Sequence, residues 1–171
     1  VCHRPFTYRV RHHVKALNET LQNSDAHSEL AALHVDIDAQ WKAYRKSASL
    51  HFGDYGLPYQ SCARAYIAGS RDTETRRIAY GLDDLAANAT VLDLGCNVGF
   101  LTLEAAKTAK HCVGLEQHAD LIAIANRVRS YLGVSNCTFI AGDAATYRNE
   151  SPFDLVIAAA LHGWLDLPLS E

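Results

Sequence analysis

The residues best placed to do chemistry in this chain are three acids that lie at or near the ends of apolar runs. Asp93 lies just before a glycine-containing turn, Glu116 ends the next apolar run, and Asp143 follows the third. Carboxylates at strand ends can accept hydrogen bonds from the hydroxyls of a ribose, and one farther along can accept from an adenine amino group. Three acceptors on three successive loops therefore predict a site for one nucleoside.

The turn between the first run and the following helix indicates which kind of nucleoside is bound. Gly95 lets the backbone turn tightly after the strand, and Gly99 lets the helix begin close to a ligand. A dinucleotide site would carry GxGxxG and present a helix N-terminus to a pyrophosphate, whereas this loop is GxxxG. The preceding Asp93 suits a cationic ligand better than a phosphate. A nicotinamide-dependent oxidoreductase is therefore disfavoured.

The elements that must position these acids alternate between strand-like and helical patterns from residue 90 onward. Strands are predicted over 91–94, 112–115, 138–141 and 153–159, and helices over 101–108 and 119–132. The strand segments lack polar alternation, which is typical of a parallel sheet covered on both faces. The alternation predicts right-handed crossovers and a doubly wound, mostly parallel α/β sheet, whose ligand lies beyond the carboxyl ends of the strands.

Residues 1–70 are predicted to form a helical extension and a capping segment in front of the α/β domain at 71–171. A basic amphipathic helix is expected up to about residue 23, carrying Arg4, Arg9, Arg11 and Lys15. Two interpretations of it remain open: a solvated basic face, or an arm that contacts RNA phosphates or a protein partner. A second helix should run from Ser24 to about Lys46, and residues 47–70 should be irregular.

A third helix is predicted to begin after Asp72, which can cap its first turn. Its apolar stripe would consist of Ile78, Leu82 and Leu85, which recur at helical spacing.

Composition excludes several classes of protein. The chain has 171 residues, a formal net charge of -3 and five cysteines without a CxxC pair. We therefore expect neither a disulfide framework nor a metal site, and we expect a reducing, cytoplasmic compartment. No apolar run reaches the roughly 20 residues of a membrane span. The chain begins at Val1, contains no Met and ends soon after the fourth apolar run. We therefore expect a fragment whose C-terminal strands are missing.

The run VLDLGCNVGFLTLEAA, with VGLEQ, AGDA and FDLVIAAALH after it, resembles the ordered motifs of class I S-adenosylmethionine-dependent methyltransferases. The resemblance covers roughly residues 70–165. It implies a Rossmann-like fold with strand order 3-2-1-4-5-7-6, S-adenosylmethionine as cofactor, and methyl transfer to an unidentified small molecule, sugar or RNA. Asn97 and Phe100, preceded by YQ and GSRDTETRR, are similar to a subgroup that acts on small molecules, sugars and the tRNA wobble position.

The resemblance also implies roles for matching positions. The first turn would hold the methionine and ribose part, Glu116 the ribose hydroxyls, and Gln117 and Asp143 the adenine. Ala159 and Leu161 would lie near the methyl group. The predicted cofactor-binding residues are Asp93, Gly95, Cys96, Asn97, Gly99, Phe100, Glu116, Gln117, Asp143, Ala144 and Ala159.

Residues after the fourth strand commonly face the methyl group in this fold, which makes His162 the candidate base or substrate contact and Trp164 a candidate stacking residue. A structural role for His162 remains equally open. No [DNS]PP[YFW] sequence follows that strand, which disfavours exocyclic-amine methylation. Possible cap or substrate contacts are Tyr59, Gln60, Arg71 and Thr73, unless they belong to an ordinary capping loop. A non-catalytic binding module with the same fold is the alternative function.

Overall fold

The computed structural model describes residues 24–47 and 58–159. In chain order the elements are α1 (Ser24–Ser47), a 3₁₀ turn (Ala63–Ala65), α2 (Thr73–Ala79), α3 (Leu82–Leu85), β1 (Thr90–Leu94), α4 (Phe100–Ala105), β2 (His111–Glu116), α5 (Ala119–Tyr131), β3 (Cys137–Ala141) and β4 (Leu155–Ile157). The basic helix predicted over residues 1–23 lies outside the described residues.

The four described strands form one parallel sheet in the order β3-β2-β1-β4. Successive strands β1, β2 and β3 are joined by α4 and α5, as parallel pairing requires. The chain reverses direction across the sheet between β3 and β4, so that β1 has β2 on one side and β4 on the other. The predicted doubly wound α/β fold and the order 3-2-1-4 are confirmed.

The prediction that all strands are buried on both faces is right for the inner strands and wrong for the outer ones. In β1 the three central residues are buried, and β2 is buried from Cys112 to Glu116. Thr138 in β3 is exposed, and Val156 in β4 is 52% exposed. β4 is also shorter than the predicted 153–159. β3 and β4 are the edges of the described sheet.

The third predicted helix is two short helices, because the chain breaks at Gly81. This glycine has a φ of 60°, in the left-handed region that a continuous helix does not use. The predicted stripe is consequently wrong: Leu82 is buried, but Ile78 is 65% and Leu85 58% exposed. The predicted cap is confirmed, since the Asp72 carboxylate accepts from Glu74 N at 3.1 Å.

Helix α1 packs along α5 and follows the predicted bounds closely. Its buried stripe contains Leu33, Ile37 and Trp41, and an ion pair between Asp36 and Arg127 at 2.7 Å ties its outer side to α5. Within the described ranges, no helix combines the length and apolarity needed to cross a membrane.

The ring of Phe139 on β3 fills a groove that exists because two residues lack side chains. A Cβ at Gly99 or at Gly114 would overlap this ring. Gly99 also has a φ of 70°, so it is required both for its backbone conformation and for the space it leaves. The sequence had assigned this glycine to the approach of a ligand, whereas the described contact is with the protein's own core.

Gly99→Ala should therefore destabilise the protein more than an alanine at another left-handed glycine. Left-handed strain costs about 1–2 kcal/mol, and overpacking against Phe139 should add about 1–3 kcal/mol. Gly133→Ala is the matched control, since Gly133 has a φ of 64° and nothing within 4 Å of its missing Cβ. Urea unfolding of both variants measures the difference; equal losses would show that the Phe139 ring moves aside without cost.

Candidate cofactor-binding site

The turn after β1 folds back onto the end of β2. The backbone N–H groups of Gly95 and Cys96 both donate to the Leu115 carbonyl, at 2.8 and 3.0 Å. Gly95, Asn97 and Gly99 all have left-handed φ values, of 68°, 56° and 70°. Asparagine tolerates this region better than most other non-glycine residues. The local sequence therefore permits a reversal that would be strained for larger side chains.

Glu116 lies at the carboxyl end of β2 and is only 8% exposed. Its Oε2 accepts from Asn97 N at 3.2 Å, and its Oε1 accepts from His118 N at 3.1 Å. The carboxylate is thus held between the turn after β1 and the start of α5. A carboxylate has about four acceptor positions, so this one retains capacity for the two hydroxyls of a ribose.

Asp93 lies beneath the turn and is 2% exposed. Its Oδ2 accepts from the Thr102 hydroxyl at 2.6 Å, which joins β1 to α4. Burial raises the pKa of Asp93 to about 7, against the lowering effects of the Thr102 hydrogen bond and the Arg76 charge. Both protonation states are therefore populated near neutral pH.

The loop after β3 is brought beside Glu116 by a backbone bond from Gly142 N to the Glu116 carbonyl, at 2.9 Å. Asp143 in this loop is exposed, and its Oδ1 accepts from Ala145 N at 2.8 Å. This is an Asx-turn, which fixes the loop's own conformation. Ala144 is half-buried beside it. A direct role for Asp143 toward adenine stays a prediction.

The remaining predicted site residues have different placements. Gln117 is exposed, and its Nε2 lies 3.4 Å from His118 Nε2. Ala159 is half-buried beyond β4. Leu161, His162 and Trp164 lie outside the described residues, so their predicted roles near the methyl group stay predictions.

Residues 58–73, here called the capping segment, close on themselves before α2 begins. Ser61 N donates to the Arg71 carbonyl at 2.9 Å, and Arg71 N donates to the Tyr59 carbonyl at 2.7 Å. The expected irregular stretch is confirmed for the described residues 58–70, which contain one 3₁₀ turn and isolated bridges but no α-helix or extended strand; the paired backbone nevertheless gives them a defined shape. Arg71 is exposed, whereas Thr73 and Gln60 are buried.

Among the four predicted cap residues, Gln60 makes two side-chain hydrogen bonds to the turn after β1. Its Oε1 accepts from Phe100 N at 2.9 Å, and its Nε2 donates to the Cys96 carbonyl at 3.3 Å. The capping segment is thus attached to the turn after β1 at two points.

Tyr44 on α1 is a residue near the site that the sequence had not indicated. Its ring meets that of His118 edge-to-face, with centroids 5.3 Å apart. Burial, and then the nearby charge of Glu116, raise the pKa of Tyr44 above its ordinary value. Tyr44 follows Trp41 at a spacing of three, so extending the apolar stripe of α1 by one step would have found it.

One buried polar atom tests whether the turn fits a ligand. Asn97 Oδ1 is buried without a hydrogen-bond partner among the described residues. Buried acceptors are almost always satisfied in folded proteins. An acceptor left over on Asn97, the residue whose backbone N–H binds the Glu116 carboxylate, fits a ligand that carries hydroxyl or ammonium donors.

Comparisons with known proteins agree with this geometry. A family model described as a methyltransferase domain matches residues 85–169. The chain is 32% identical, over 145 residues, to the 23S rRNA (uracil(1939)-C(5))-methyltransferase RlmD of Hahella chejuensis, covering 78% of this chain and 32% of that protein. It is also 32% identical, over 89 residues, to the protein-L-isoaspartate O-methyltransferase of Syntrophus aciditrophicus, covering 52% and 41%.

Among solved structures, the bifunctional kinase-methyltransferase WbdD aligns with a TM-score of 0.51 and 25% identity, over 63% of this chain and 27% of that one. The chain therefore belongs to the class I S-adenosylmethionine-dependent methyltransferase family, whose cofactor is S-adenosylmethionine. It spans about a third of the length of the RlmD relative.

The buried Asp93 should make stability depend on pH in a way that Asp93→Asn removes. Its pKa of about 7 lies above the ordinary 3.8, so the folded state holds the proton more tightly and stability falls as pH rises through this interval. Between the two values the loss approaches ~1.4 kcal/mol per pH unit. Urea unfolding at pH 5 to 8 should show that the free energy of unfolding of Asp93→Asn rises relative to that of the wild type as pH rises. A difference that does not change with pH would contradict this.

Proposed function

We propose that this chain binds S-adenosylmethionine along the turn after β1 and that the protein to which it belongs methylates RNA. The observation that carries the first part is the Glu116 carboxylate, held at the end of β2 by Asn97 N and His118 N. A cofactor laid along the carboxyl edge of the sheet would present its ribose to this group.

The identity of the acceptors supports S-adenosylmethionine over a dinucleotide. A pyrophosphate would need free N–H groups at the turn, but those of Gly95, Cys96 and Asn97 are already bonded to Leu115 and Glu116. What the turn offers instead is the unpartnered Asn97 Oδ1 and the carboxylate. Acceptors of this kind suit ribose hydroxyls and a cationic amino-acid end.

RNA is the favoured acceptor because RlmD of Hahella chejuensis, a relative that aligns with 78% of this chain, is named as a 23S rRNA methyltransferase. The predicted basic arm, with Arg4, Arg9, Arg11 and Lys15, would supply phosphate contacts. The four described cysteines are unpaired, which fits the predicted cytoplasmic location.

The cofactor supplies an activated methyl group, so the protein's main task is orientation. Glu116 would fix the ribose, and the turn at 95–99 would fix the sulfur-bearing end. His162 is proposed to hold or accept a proton of the RNA acceptor. The cofactor geometry would then be determined by β1 and β2, and the acceptor geometry by residues after β4.

Glu116→Gln should weaken binding of S-adenosylhomocysteine on the order of 10- to 100-fold, because charged hydrogen bonds contribute about 1.5–3 kcal/mol. Isothermal titration calorimetry on the full-length protein measures it. Glu150→Gln is the control, since Glu150 is exposed on the loop before β4. Heat with NAD but none with S-adenosylhomocysteine would overturn the cofactor assignment.

The acceptor is tested by incubating the full-length protein with S-adenosylmethionine labelled in its methyl group, unmodified ribosomal and transfer RNA transcripts, and an isoaspartyl peptide. Label should enter RNA and become soluble on nuclease treatment. Label in the peptide would favour the protein-methylating relatives instead. Cofactor binding without transfer to any acceptor would support the non-catalytic alternative.

A further inference from the structure

We propose that Gln60 is a positioning residue that caps α4 from outside the helix and so sets the conformation of the cofactor-binding turn. The inference rests on the proposed binding of S-adenosylmethionine at this turn. Gln60 lies 40 residues before Phe100 in sequence, and it would act on the cofactor through the turn.

The two hydrogen bonds of Gln60 bracket the second half of the turn. One joins its Nε2 to the Cys96 carbonyl at 3.3 Å, and the other joins its Oε1 to Phe100 N at 2.9 Å. Between these points lie Asn97, with the unpartnered Oδ1, and the left-handed Gly99. A single side chain therefore fixes both ends of the segment that carries these two residues.

The amide orientation is determined by its partners. A carbonyl can only accept and a backbone N–H can only donate, so the Gln60 nitrogen must face Cys96 and its oxygen must face Phe100. The side chain is buried, which makes loss of either bond costly because water cannot replace it. A side chain with only acceptors, or with neither group, does not satisfy this position.

The need for an external cap follows from Gly99. Gly99 is the N-cap of α4 and has no side chain to accept from the first N–H groups of the helix. Serine or aspartate, the usual capping residues, would bring a Cβ into the Phe139 ring and would require a φ of 70°. The chain therefore obtains the acceptor for Phe100 N from a distant segment.

The capping segment is anchored well enough to hold Gln60 still. Arg64 donates to the Leu103 carbonyl at 3.0 Å, and His34 on α1 donates from Nε2 to the Ala65 carbonyl at 2.9 Å. Gly69 lies so close to the Gln60 backbone that a Cβ there would overlap it. Contacts to α1, to α4 and within the segment itself thus fix the position from which the amide reaches the turn.

Gln60→Glu separates a hydrogen-bonding role from simple filling of space. Ionised, the new carboxylate can accept from Phe100 N but cannot donate to the Cys96 carbonyl, and two acceptors would face each other. Protonated, it can make both bonds as the amide does. Burial raises the pKa of a carboxyl group, so protonation is reachable at mildly acidic pH, and binding should recover there.

The experiment measures S-adenosylhomocysteine affinity by calorimetry for wild type, Gln60→Glu, Gln60→Met and Gln40→Glu, in the full-length protein at pH 5.5 and 8. Gln60→Met keeps the volume of the side chain but can make neither hydrogen bond. Gln40→Glu is the charge control, because it adds the same negative charge on α1. We expect Gln60→Glu to bind on the order of tenfold more weakly than wild type at pH 8 and to approach it at pH 5.5. Gln60→Met should be weak at both values and Gln40→Glu should match wild type.

The outcomes distinguish this inference from the function on which it rests. If the wild type does not bind S-adenosylhomocysteine, the proposed function itself is overturned. Wild type that binds, with Gln60→Met unchanged, overturns the positioning role while leaving the function intact. A Gln60→Glu defect that is the same at both pH values also overturns it. If Gln60→Glu does not fold at pH 8, as judged by circular dichroism, the affinities of Gln60→Met and of the wild type for S-adenosylhomocysteine are compared instead. Equal affinities would overturn the positioning role.

Discussion

Three consecutive backbone N–H groups in the turn after β1 bind to the last two residues of β2, and the geometry of the site depends on this. Gly95 and Cys96 donate to the Leu115 carbonyl, and Asn97 donates to the Glu116 carboxylate. Buried backbone donors must be satisfied. The turn therefore has to fold back over the neighbouring strand, and the left-handed residues within it make that reversal feasible.

This arrangement gives Glu116 two functions at once. The same carboxylate that is proposed to bind the cofactor ribose also accepts from Asn97 N and from His118 N at the start of α5. Tyr44 packs on His118, so α1 is in contact with this corner of the molecule. Helix α1 therefore contacts the residue whose backbone N–H binds the Glu116 carboxylate, and the capping segment contacts the turn through Gln60.

Much of this was predictable from sequence because it depends on local pattern. The inner strands are apolar runs, Gly95 and Gly99 mark the turn, and Glu116 ends a run at the expected distance. What was not predictable depends on partners far along the chain. The contacts of Gln60 with Cys96 and Phe100, and the need for Gly99 to admit Phe139, leave no periodic signal.

The errors have physical causes of the same kind. The stripe Ile78, Leu82 and Leu85 has perfect helical spacing, but the left-handed Gly81 divides it between two short helices, and only Leu82 is buried. β4 reads as a long buried strand, yet only three residues pair with β1. Apolar composition alone does not distinguish a covered strand from an edge.

The position of Phe139 has a consequence for how the chain acquires its site during synthesis. The space left by Gly99 and Gly114 is occupied by the Phe139 ring, which lies 40 residues after Gly99 in the chain. On a ribosome, which adds about 5–20 residues per second, the glycine turn emerges well before its packing partner. The nascent protein therefore exposes an incompletely packed turn until β3 has left the exit tunnel.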